Sequence, residues 1–177
     1  NHAAALSRAA ALRNSKAFIV MPKNSSKVKI EAVKHYGGLI TFCEPNLASR
    51  ESTLEKVKAE SGSVEIHPYN NFNVICGQAT AAMELLETVS DLDVVMAPVG
   101  GGGLLSGTAL SCKYYSPGTK VIAAEPKGAD DAFQSFYNRK FIPSVNPKTI
   151  ADGFLTSLGT LTFPIILGNV DQIVTVS

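Results

Sequence analysis

Short apolar runs alternate with longer mixed segments along the whole chain. Several of the short runs are apolar at successive positions, a pattern typical of strands that are covered on both faces. These runs predict strands at residues 17–21, 39–43, 64–67, 93–99, 120–125 and 172–176. The remaining segments predict helices at residues 2–12, 25–36, 49–60, 72–89, 104–114, 130–137 and 150–158.

The order of these elements predicts the fold class. Strands that alternate with helices form βαβ units, so we expect an α/β protein with mainly parallel open sheets flanked by helices. The polar stretch at residues 68–71 separates two such series and marks a domain boundary. We therefore predict a small α/β domain at residues 1–68 and part of a larger α/β domain at residues 69–177.

Composition and charge narrow the possible functions. Of the 177 residues, 45% are hydrophobic and 18% are charged, which predicts a folded globular chain rather than a disordered one. A net charge of +1 provides no basic footprint for nucleic acid. No apolar run approaches the roughly 20 residues that cross a bilayer. We therefore expect partners that are neither nucleic acid nor membrane.

The cysteines bear on the cellular compartment. Cys43, Cys76 and Cys112 are far apart in the sequence and form no metal-binding motif. An odd number of unpaired cysteines is typical of buried free thiols in a reducing environment. This pattern predicts a cytoplasmic protein.

The segment with the strongest chemical signal is PVGGGGLLSG, at residues 98–107. Its four consecutive glycines follow a predicted strand and open a predicted helix; they are Gly100, Gly101, Gly102 and Gly103. Glycines can turn there without Cβ clashes, so several backbone N–H groups can converge near the positive end of the helix dipole. The segment therefore predicts an anion site, most often one for phosphate.

Several phosphate ligands are compatible with this loop. The dinucleotide motif G-x-G-x-x-G/A nearly fits at Gly101, Gly103 and Ser106, and Glu125 ends the next predicted strand, where a ribose-binding acid would stand. A nicotinamide-binding Rossmann-like domain is thus one alternative, although serine occupies the third motif position. The P-loop pattern fits less well, because Thr108 stands where lysine is required. A glycine-rich turn without a ligand is the remaining alternative.

An acidic loop, EPKGADD at residues 125–131, follows the next predicted strand. Glu125 and Asp131 supply two carboxylates with backbone carbonyls between them, a donor set that suits Mg²⁺ or Ca²⁺. In the alternative interpretation, Asp131 caps the following helix, with Gln134 at the capping-box position. The residues alone leave both interpretations open.

Eight short segments carry a resemblance to one known family. They are NHA at 1–3, FIVMP at 18–22, CEP at 43–45, HPYN at 67–70, GQAT at 77–80, VGGGG at 99–103, AAEP with ADD at 123–131, and TIADG at 149–153. In this order they resemble the serine racemase and serine/threonine dehydratase family of fold-type II pyridoxal 5′-phosphate (PLP) enzymes. The resemblance implies a two-domain fold of which these 177 residues are an incomplete part.

The resemblance implies a role for several residues at the cofactor. Gly100–Gly103 would hold the PLP phosphate through their backbone N–H groups, and Leu104 would lie near the ring. Asn1 matches the residue that hydrogen-bonds the 3′-oxygen of the cofactor. Gly153 matches a backbone position that lines the pocket.

The resemblance also implies a cation and an oligomer. Glu125, Asp131 and the carbonyl of Ala129 match the ligands of a Mg²⁺ or Ca²⁺ ion in the eukaryotic-type serine racemases. We further expect the intact protein to form a homodimer.

The same resemblance implies the reaction. The intact protein would racemise L-serine, eliminate its β-hydroxyl to give pyruvate and ammonia, or do both. A threonine or 3-hydroxyaspartate dehydratase is the alternative within this chemistry. The Schiff-base lysine and the opposite-face serine of the family precede the Asn-His motif, so we expect no catalytic residue in this chain and no activity from these 177 residues alone. A non-catalytic fragment or degenerate copy is the alternative of another class.

Overall fold

The computed structural model describes residues 1–177, apart from the side chain of residue 47. Its helices are α1 (His2–Leu12), α2 (Lys27–His35), α3 (Leu47–Ser61), α4 (Phe72–Thr88), α5 (Gly103–Tyr115), α6 (Asp131–Asn138) and α7 (Thr162–Asn169). Its strands are β1 (Phe18–Pro22), β2 (Leu39–Cys43), β3 (Val94–Pro98), β4 (Lys120–Pro126) and β5 (Gln172–Val176), and a 3₁₀ turn covers Asp152–Phe154. The chain divides into two units, Asn1–Ile66 and His67–Ser177.

The first unit contains a two-stranded parallel sheet, in which β1 pairs with β2. Burial alternates along β1, so that Ile19 and Met21 point into a core that also holds Val33 of α2. Helix α2 begins after Ser26, whose hydroxyl accepts a hydrogen bond from the Lys29 backbone N–H at 3.4 Å. This serine is a normal N-cap.

The second unit contains a three-stranded parallel sheet with β4 between β3 and β5. The register pairs Ala123 of β4 with Ala97 on one side and Ile173 on the other. These three residues are buried in the main core. Parallel strands joined by helices confirm the predicted α/β class.

Helices α4 and α5 pack closely in this second unit. A Cβ added to Gly107 of α5 would lie 2.5 Å from the Ala79 nitrogen and 2.8 Å from the Ile75 carbonyl oxygen of α4. The Ser111 hydroxyl of α5 also donates to the Ala79 carbonyl at 2.7 Å. Glycine at residue 107 is therefore required by close backbone approach, and α5, which begins at the glycine loop, is held firmly.

Two predicted elements were wrong. Residues 64–67 form no strand; Val64 is 83% exposed, so this apolar residue faces no covering layer. The predicted helix at residues 150–158 is reduced to the 3₁₀ turn Asp152–Phe154. Glycine at residue 153 disfavours a longer helix, because it loses more backbone entropy than other residues.

Helix α7 was absent from the sequence prediction. Pro164 and Gly168 within it are residues that usually indicate a loop. Pro164 is the third residue of the helix, however, where its missing N–H would have had no intrahelical acceptor. The helix is stabilised by its packing: Ile166 is fully buried in the main core.

The cysteines are only partly as predicted. All three are free, and Cys43 and Cys112 are buried, but Cys76 of α4 is exposed. The prediction of a buried thiol was therefore wrong for Cys76. Among the helices that the structure describes, none has the length and apolar character needed to cross a membrane.

Candidate functional site

The glycine loop lies between the end of β3 and the start of α5. Gly102 has a φ of +89°, a left-handed conformation that favours glycine, and α5 begins at the next residue. The Ser106 backbone N–H donates to the Gly102 carbonyl at 2.8 Å. The amides of the preceding helical residues have no intrahelical acceptor at a helix N-terminus, where the helix dipole is positive. The loop therefore has the geometry of an anion site.

The structure explains why the loop carries no side chains. A Cβ added to Gly101 would overlap the Tyr69 ring, and one added to Gly103 would lie 2.9 Å from the Tyr69 Cβ. A Cβ added to Gly100 would lie 2.7 Å from the carbonyl oxygen of Gly153. Neighbouring groups thus leave no room for a side chain at these three glycines. Gly153, which was predicted to line the pocket, lies beside Gly100.

Thr162, the first residue of α7, holds the other side of the loop. Its buried hydroxyl donates to the Gly101 carbonyl at 2.8 Å and accepts from the Gly159 N–H at 2.8 Å. A Cβ added to Gly102 would lie 2.9 Å from both the Cβ and the hydroxyl of Thr162. This threonine therefore fixes the backbone of the loop from 61 positions away in the sequence.

The HPYN segment braces the same region. The His67 Nδ1 accepts the Asn70 backbone N–H at 2.9 Å, and the His67 ring packs edge-on against Tyr69 with the centroids 4.6 Å apart. The Asn70 side chain accepts from the Leu161 N–H at 2.8 Å and donates to the Thr160 hydroxyl at 3.0 Å. Tyr69 is thus held in place against the glycine loop.

Two further side chains are available beside the loop. The Thr156 Oγ1 is buried and has no hydrogen-bond partner among the residues described, and it lies 3.6 Å from the position of a Cβ on Gly100. A buried hydroxyl without a partner requires an explanation, and a ligand is one. Leu104, in the first turn of α5, is 36% exposed and could contact such a ligand.

Asn1 belongs to the first unit, so its predicted role at the cofactor stays a prediction. The next residue, His2, begins α1, and its Nε2 donates to the Ile66 carbonyl at 2.9 Å. Burial lowers the pKa of His2, although the bond to Ile66 opposes this change. The Asn-His motif is therefore tied to the last residue of its own unit.

The acidic loop connects β4 with α6. Glu125 is fully buried, and its two carboxylate oxygens accept the backbone N–H groups of Ala132 at 3.0 Å and Phe133 at 2.8 Å. Glu125 thus caps α6 from the preceding strand. The cap interpretation was wrong for Asp131, because this residue is already the first residue of the helix. Gln134 donates instead to Asp130, at 2.8 Å.

Asp131 faces a cavity of about 170 Å³, and Ala129 and Ser144 also line it. Asp131 is only 4% exposed, and neither of its carboxylate oxygens has a hydrogen bond of normal geometry within the described chain. Glu125 does not line the cavity, because its carboxylate is turned toward α6. No cluster of three or more His, Cys, Asp or Glu side chains suited to a metal occurs among the described residues. The predicted donor set has only two such side chains, Glu125 and Asp131, and its third member is the backbone carbonyl of Ala129.

Both buried acids bind protons more tightly than usual. Burial raises the pKa of Glu125 to about 7, with a further increase from the charges of Asp131 and Asp130, while the two helix amides lower it. Burial raises the pKa of Asp131 to about 6, and the Ser144 side chain and the backbone amide of Asp131 itself oppose this rise. A buried acid with a raised pKa that faces a cavity, as Asp131 does, favours a compensating cation.

Known proteins are similar to this chain over nearly its whole length. A family model described as "Pyridoxal-phosphate dependent enzyme" matches residues 1–177. The chain is 49% identical to a beta-hydroxyaspartate dehydratase from Paracoccus denitrificans, covering 100% of this chain and 56% of that protein. It is also 49% identical to a serine racemase from Arabidopsis thaliana, covering 99% of this chain and 53% of that protein. The structure of maize serine racemase matches with a TM-score of 0.95 and 45% identity, over 99% of this chain and 53% of the other.

The parallel sheet, with a bare glycine loop at a strand end, defines an α/β protein built to hold an anionic ligand. The chain belongs to the family of pyridoxal-phosphate-dependent enzymes. The resemblance found in the sequence and the predicted fold class are therefore confirmed. The chain spans about half the length of the curated relatives that it matches.

Sequence reasoning missed two residues that shape the loop. Tyr69 lies within the HPYN segment, so that tetrapeptide, placed just before a long helix, was an available signal. Thr162 gave no signal, because its importance depends on the fold that brings it to Gly101. Gly100 and Gly153 were both predicted as site residues, but the contact between them was not.

We expect the contact between Tyr69 and Gly101 to appear as an energetic coupling. In the whole protein, Gly101→Ala should lower the free energy of unfolding by about 1–3 kcal/mol, because the added methyl group overpacks the Tyr69 ring. The double variant Gly101→Ala/Tyr69→Ala should lose less free energy of unfolding than the sum of the two single losses, by about 1 kcal/mol or more. Urea unfolding of the four proteins measures this coupling.

Gly168→Ala is the matched control for that cycle. An added Cβ at Gly168 of α7 meets no atom within 4 Å, so its effect should simply add to that of Tyr69→Ala. Strict additivity of Gly101→Ala with Tyr69→Ala would contradict the packing of the Tyr69 ring against Gly101.

We also expect the buried acids to make stability depend on pH. Because their pKa values are raised, the folded state binds more protons than the unfolded state between about pH 4 and 7, so stability falls as the pH rises through this window. Asp131→Asn should remove part of this fall, on the order of 2 kcal/mol. Urea unfolding in EDTA at pH 4.5 and pH 8 measures the difference. Asp130→Asn removes a charge at the cavity wall but keeps an oxygen that can accept from Gln134, so it should change the difference less. An equal slope in wild type and Asp131→Asn would show that Asp131 is not the titrating group.

Proposed function

We propose that the intact protein is a PLP-dependent enzyme that acts on L-serine, by racemisation, by β-elimination to pyruvate and ammonia, or by both. The observation that carries this proposal is the side-chain-free glycine loop at the N-terminus of α5, in a chain 49% identical to a serine racemase. A 3-hydroxyaspartate dehydratase is the second candidate, because a beta-hydroxyaspartate dehydratase is equally similar. L-Serine and 3-hydroxyaspartate, like threonine, carry a hydroxyl group on the β-carbon.

The residues present fit PLP. Any Cβ at Gly100, Gly101 or Gly103 would fill space that is already taken by Gly153 or Tyr69, so the loop presents backbone alone. We assign the phosphate to the amides of Gly100–Gly103, where the dipole of α5 favours a negative charge. Leu104 would contact the ring and Gly153 would line the pocket, while Asn1 would bond the 3′-oxygen.

PLP, when bound, withdraws electrons from the α-carbon of the amino-acid substrate, so that the proton on this carbon can be removed. The residues of this chain position the reactants rather than transfer that proton. The loop amides bind the phosphate, and Tyr69 and Thr162 keep the loop in its shape. The Thr156 hydroxyl offers one hydrogen bond on the ligand side of Gly100. The residue that forms the Schiff base would be a lysine outside these 177 residues.

A divalent cation, Mg²⁺ or Ca²⁺, is part of the proposal. Asp131 fits such an ion, because its two buried oxygens have no normal hydrogen bond and face a cavity. The carbonyl of Ala129, which lines the same cavity, would be a second ligand. Glu125, the third ligand that the resemblance implies, does not line the cavity, so its carboxylate would have to turn from the amides of α6 to reach the ion. Oxygen donors of this kind match both ions.

We also propose the remaining features that the resemblance implies. Residues 1–68 would belong to the small domain and residues 69–177 to the large PLP-binding domain. The intact protein would be a cytoplasmic homodimer. The nicotinamide alternative is not proposed, because the family model that matches the chain is one of PLP enzymes.

The function is tested on the intact protein, with and without PLP. We expect a visible absorption band after PLP is added, and then conversion of L-serine to D-serine or to pyruvate and ammonia. L-threonine and 3-hydroxyaspartate are assayed in parallel, because a higher kcat/KM for either would favour the second candidate. Protein without PLP is the control. No absorption band and no turnover of any of the three amino acids would refute the proposal.

The cation is tested by thermal unfolding. Mg²⁺ at about 100 times its Kd stabilises the folded state by about 2.7 kcal/mol, so we expect a rise in Tm of about 5 °C at pH 8. The rise should be smaller at pH 6, because protons compete for acids with raised pKa values. Asp131→Asn should abolish it, whereas Asp130→Asn should keep most of it, because Asp130 also lines the cavity but its carboxylate already accepts a bond from Gln134. An equal rise in wild type and Asp131→Asn would place the ion elsewhere.

A further inference from the structure

Ser144 is shared between the acidic cavity and a second segment of the chain. It lines the cavity together with Asp131, and its side chain lies near enough to that carboxyl to affect the pKa. The backbone N–H of Ser144 donates to the Ser157 hydroxyl at 2.9 Å. A change at the cavity wall is therefore connected directly to Ser157.

The segment that contains Ser157 passes beside the glycine loop. From the position of a Cβ on Gly100, the Gly153 carbonyl oxygen lies at 2.7 Å, the Phe154 Cα at 3.5 Å and the Thr156 hydroxyl at 3.6 Å. These distances leave no spare room between residues 153–157 and Gly100. A small displacement of this segment must consequently alter the surroundings of the proposed phosphate site.

Residues 141–148 form a strap that is anchored on both sides of Ser144. On one side, the Ile142 N–H donates to the Ser135 hydroxyl of α6 at 2.9 Å. On the other, the Lys148 N–H donates to the Gly128 carbonyl at 2.7 Å. The strap is held by α6 at Ser135 and by the acidic loop at Gly128. The bond at Gly128 makes the strap follow a rearrangement of the acidic loop, and the bond from Ser144 passes that displacement to Ser157.

We propose that the Ser157 hydroxyl links the two sites, so that a divalent cation in the cavity and PLP at the glycine loop bind cooperatively. A cation drawn to Asp131 changes the contacts of the Ser144 side chain, which now lies beside that carboxylate. The backbone of Ser144 moves with its side chain and displaces Ser157 through the hydrogen bond between them. Ser157 in turn displaces the segment beside Gly100. Such coupling is reciprocal: each ligand raises the affinity for the other by the same factor. The inference rests on the proposed function, because it requires both ligands.

The test measures two affinities in the intact protein, without any assay of activity. The Kd of PLP is determined by fluorescence titration in EDTA and in saturating Mg²⁺, and the Kd of Mg²⁺ by calorimetry without and with PLP. A hydrogen bond of ordinary net strength limits the coupling to about fivefold, so we expect about that factor in both directions. In Ser157→Ala both ligands should still bind, but the factor should fall to about one.

Two variants separate the link from a general loss of structure. Ser157→Thr keeps a hydroxyl acceptor and should retain the coupling. Ser135→Ala removes the hydroxyl that anchors the strap at Ile142, away from Ser157, and should also retain it. The link is overturned if Ser157→Ala keeps the wild-type factor, if wild type shows no coupling, or if Ser135→Ala loses the coupling equally. Wild type that binds both ligands without coupling leaves the proposed function intact, whereas wild type that fails to bind PLP or Mg²⁺ overturns the link together with the corresponding part of that proposal.

Discussion

The close approach of the Tyr69 ring to the backbone of Gly101 is the contact on which the second unit depends. It requires a bare backbone at Gly101 and Gly103, and a bare backbone is also what an anion site at a helix N-terminus needs. Packing and binding therefore select the same residue at the same positions. The flexibility of four glycines is an entropic cost, and the surrounding contacts offset it by holding the loop in one conformation.

Those contacts come from three separate parts of the chain. The HPYN segment supplies Tyr69, the first residue of α7 supplies the hydroxyl of Thr162, and the 3₁₀ turn supplies the carbonyl of Gly153. None of the three is a regular strand, and all three meet beside the end of β3. A rigid sheet with loops gathered at the ends of its strands is the usual arrangement of ligand sites in open α/β proteins.

The sequence predicted this architecture well where local pattern decides structure. The bounds of α1, β2 and β5 were predicted to the residue, because each is a short uniform run between clear breaks. Pattern failed where tertiary contacts decide. Residues 64–67 have strand-like composition but no partner strand, and α7 contains proline and glycine but buries Ile166. In the same way, the glycines were recognised as a site, whereas Thr162, a long-range partner, was not.

The roles of the two acids in the acidic loop could be predicted from the sequence only in part. Spacing indicated two carboxylates but could not decide between a cap and a cation site, because either role suits an acid at a helix N-terminus. The structure divides these roles: Glu125 reaches forward from β4 to cap α6, which leaves Asp131 buried with no normal hydrogen bond. An acid left in this way is destabilising unless it is protonated or paired with a cation.

The register of the sheet brings the two candidate sites onto neighbouring strands. Pro98, the last residue of β3, is paired with Ala124 of β4, so the glycine loop and the acidic loop leave the same edge of the sheet one strand apart. The Val99 N–H, which donates to the Ala124 carbonyl at 3.0 Å, continues this pairing to the residue before Gly100. Because the loops start from hydrogen-bonded neighbours, they cannot be displaced independently at their base. Beyond that base, the two loops contact residues 141–148 and 153–157, which the bond from Ser144 to Ser157 joins, and this is where communication between the sites would pass.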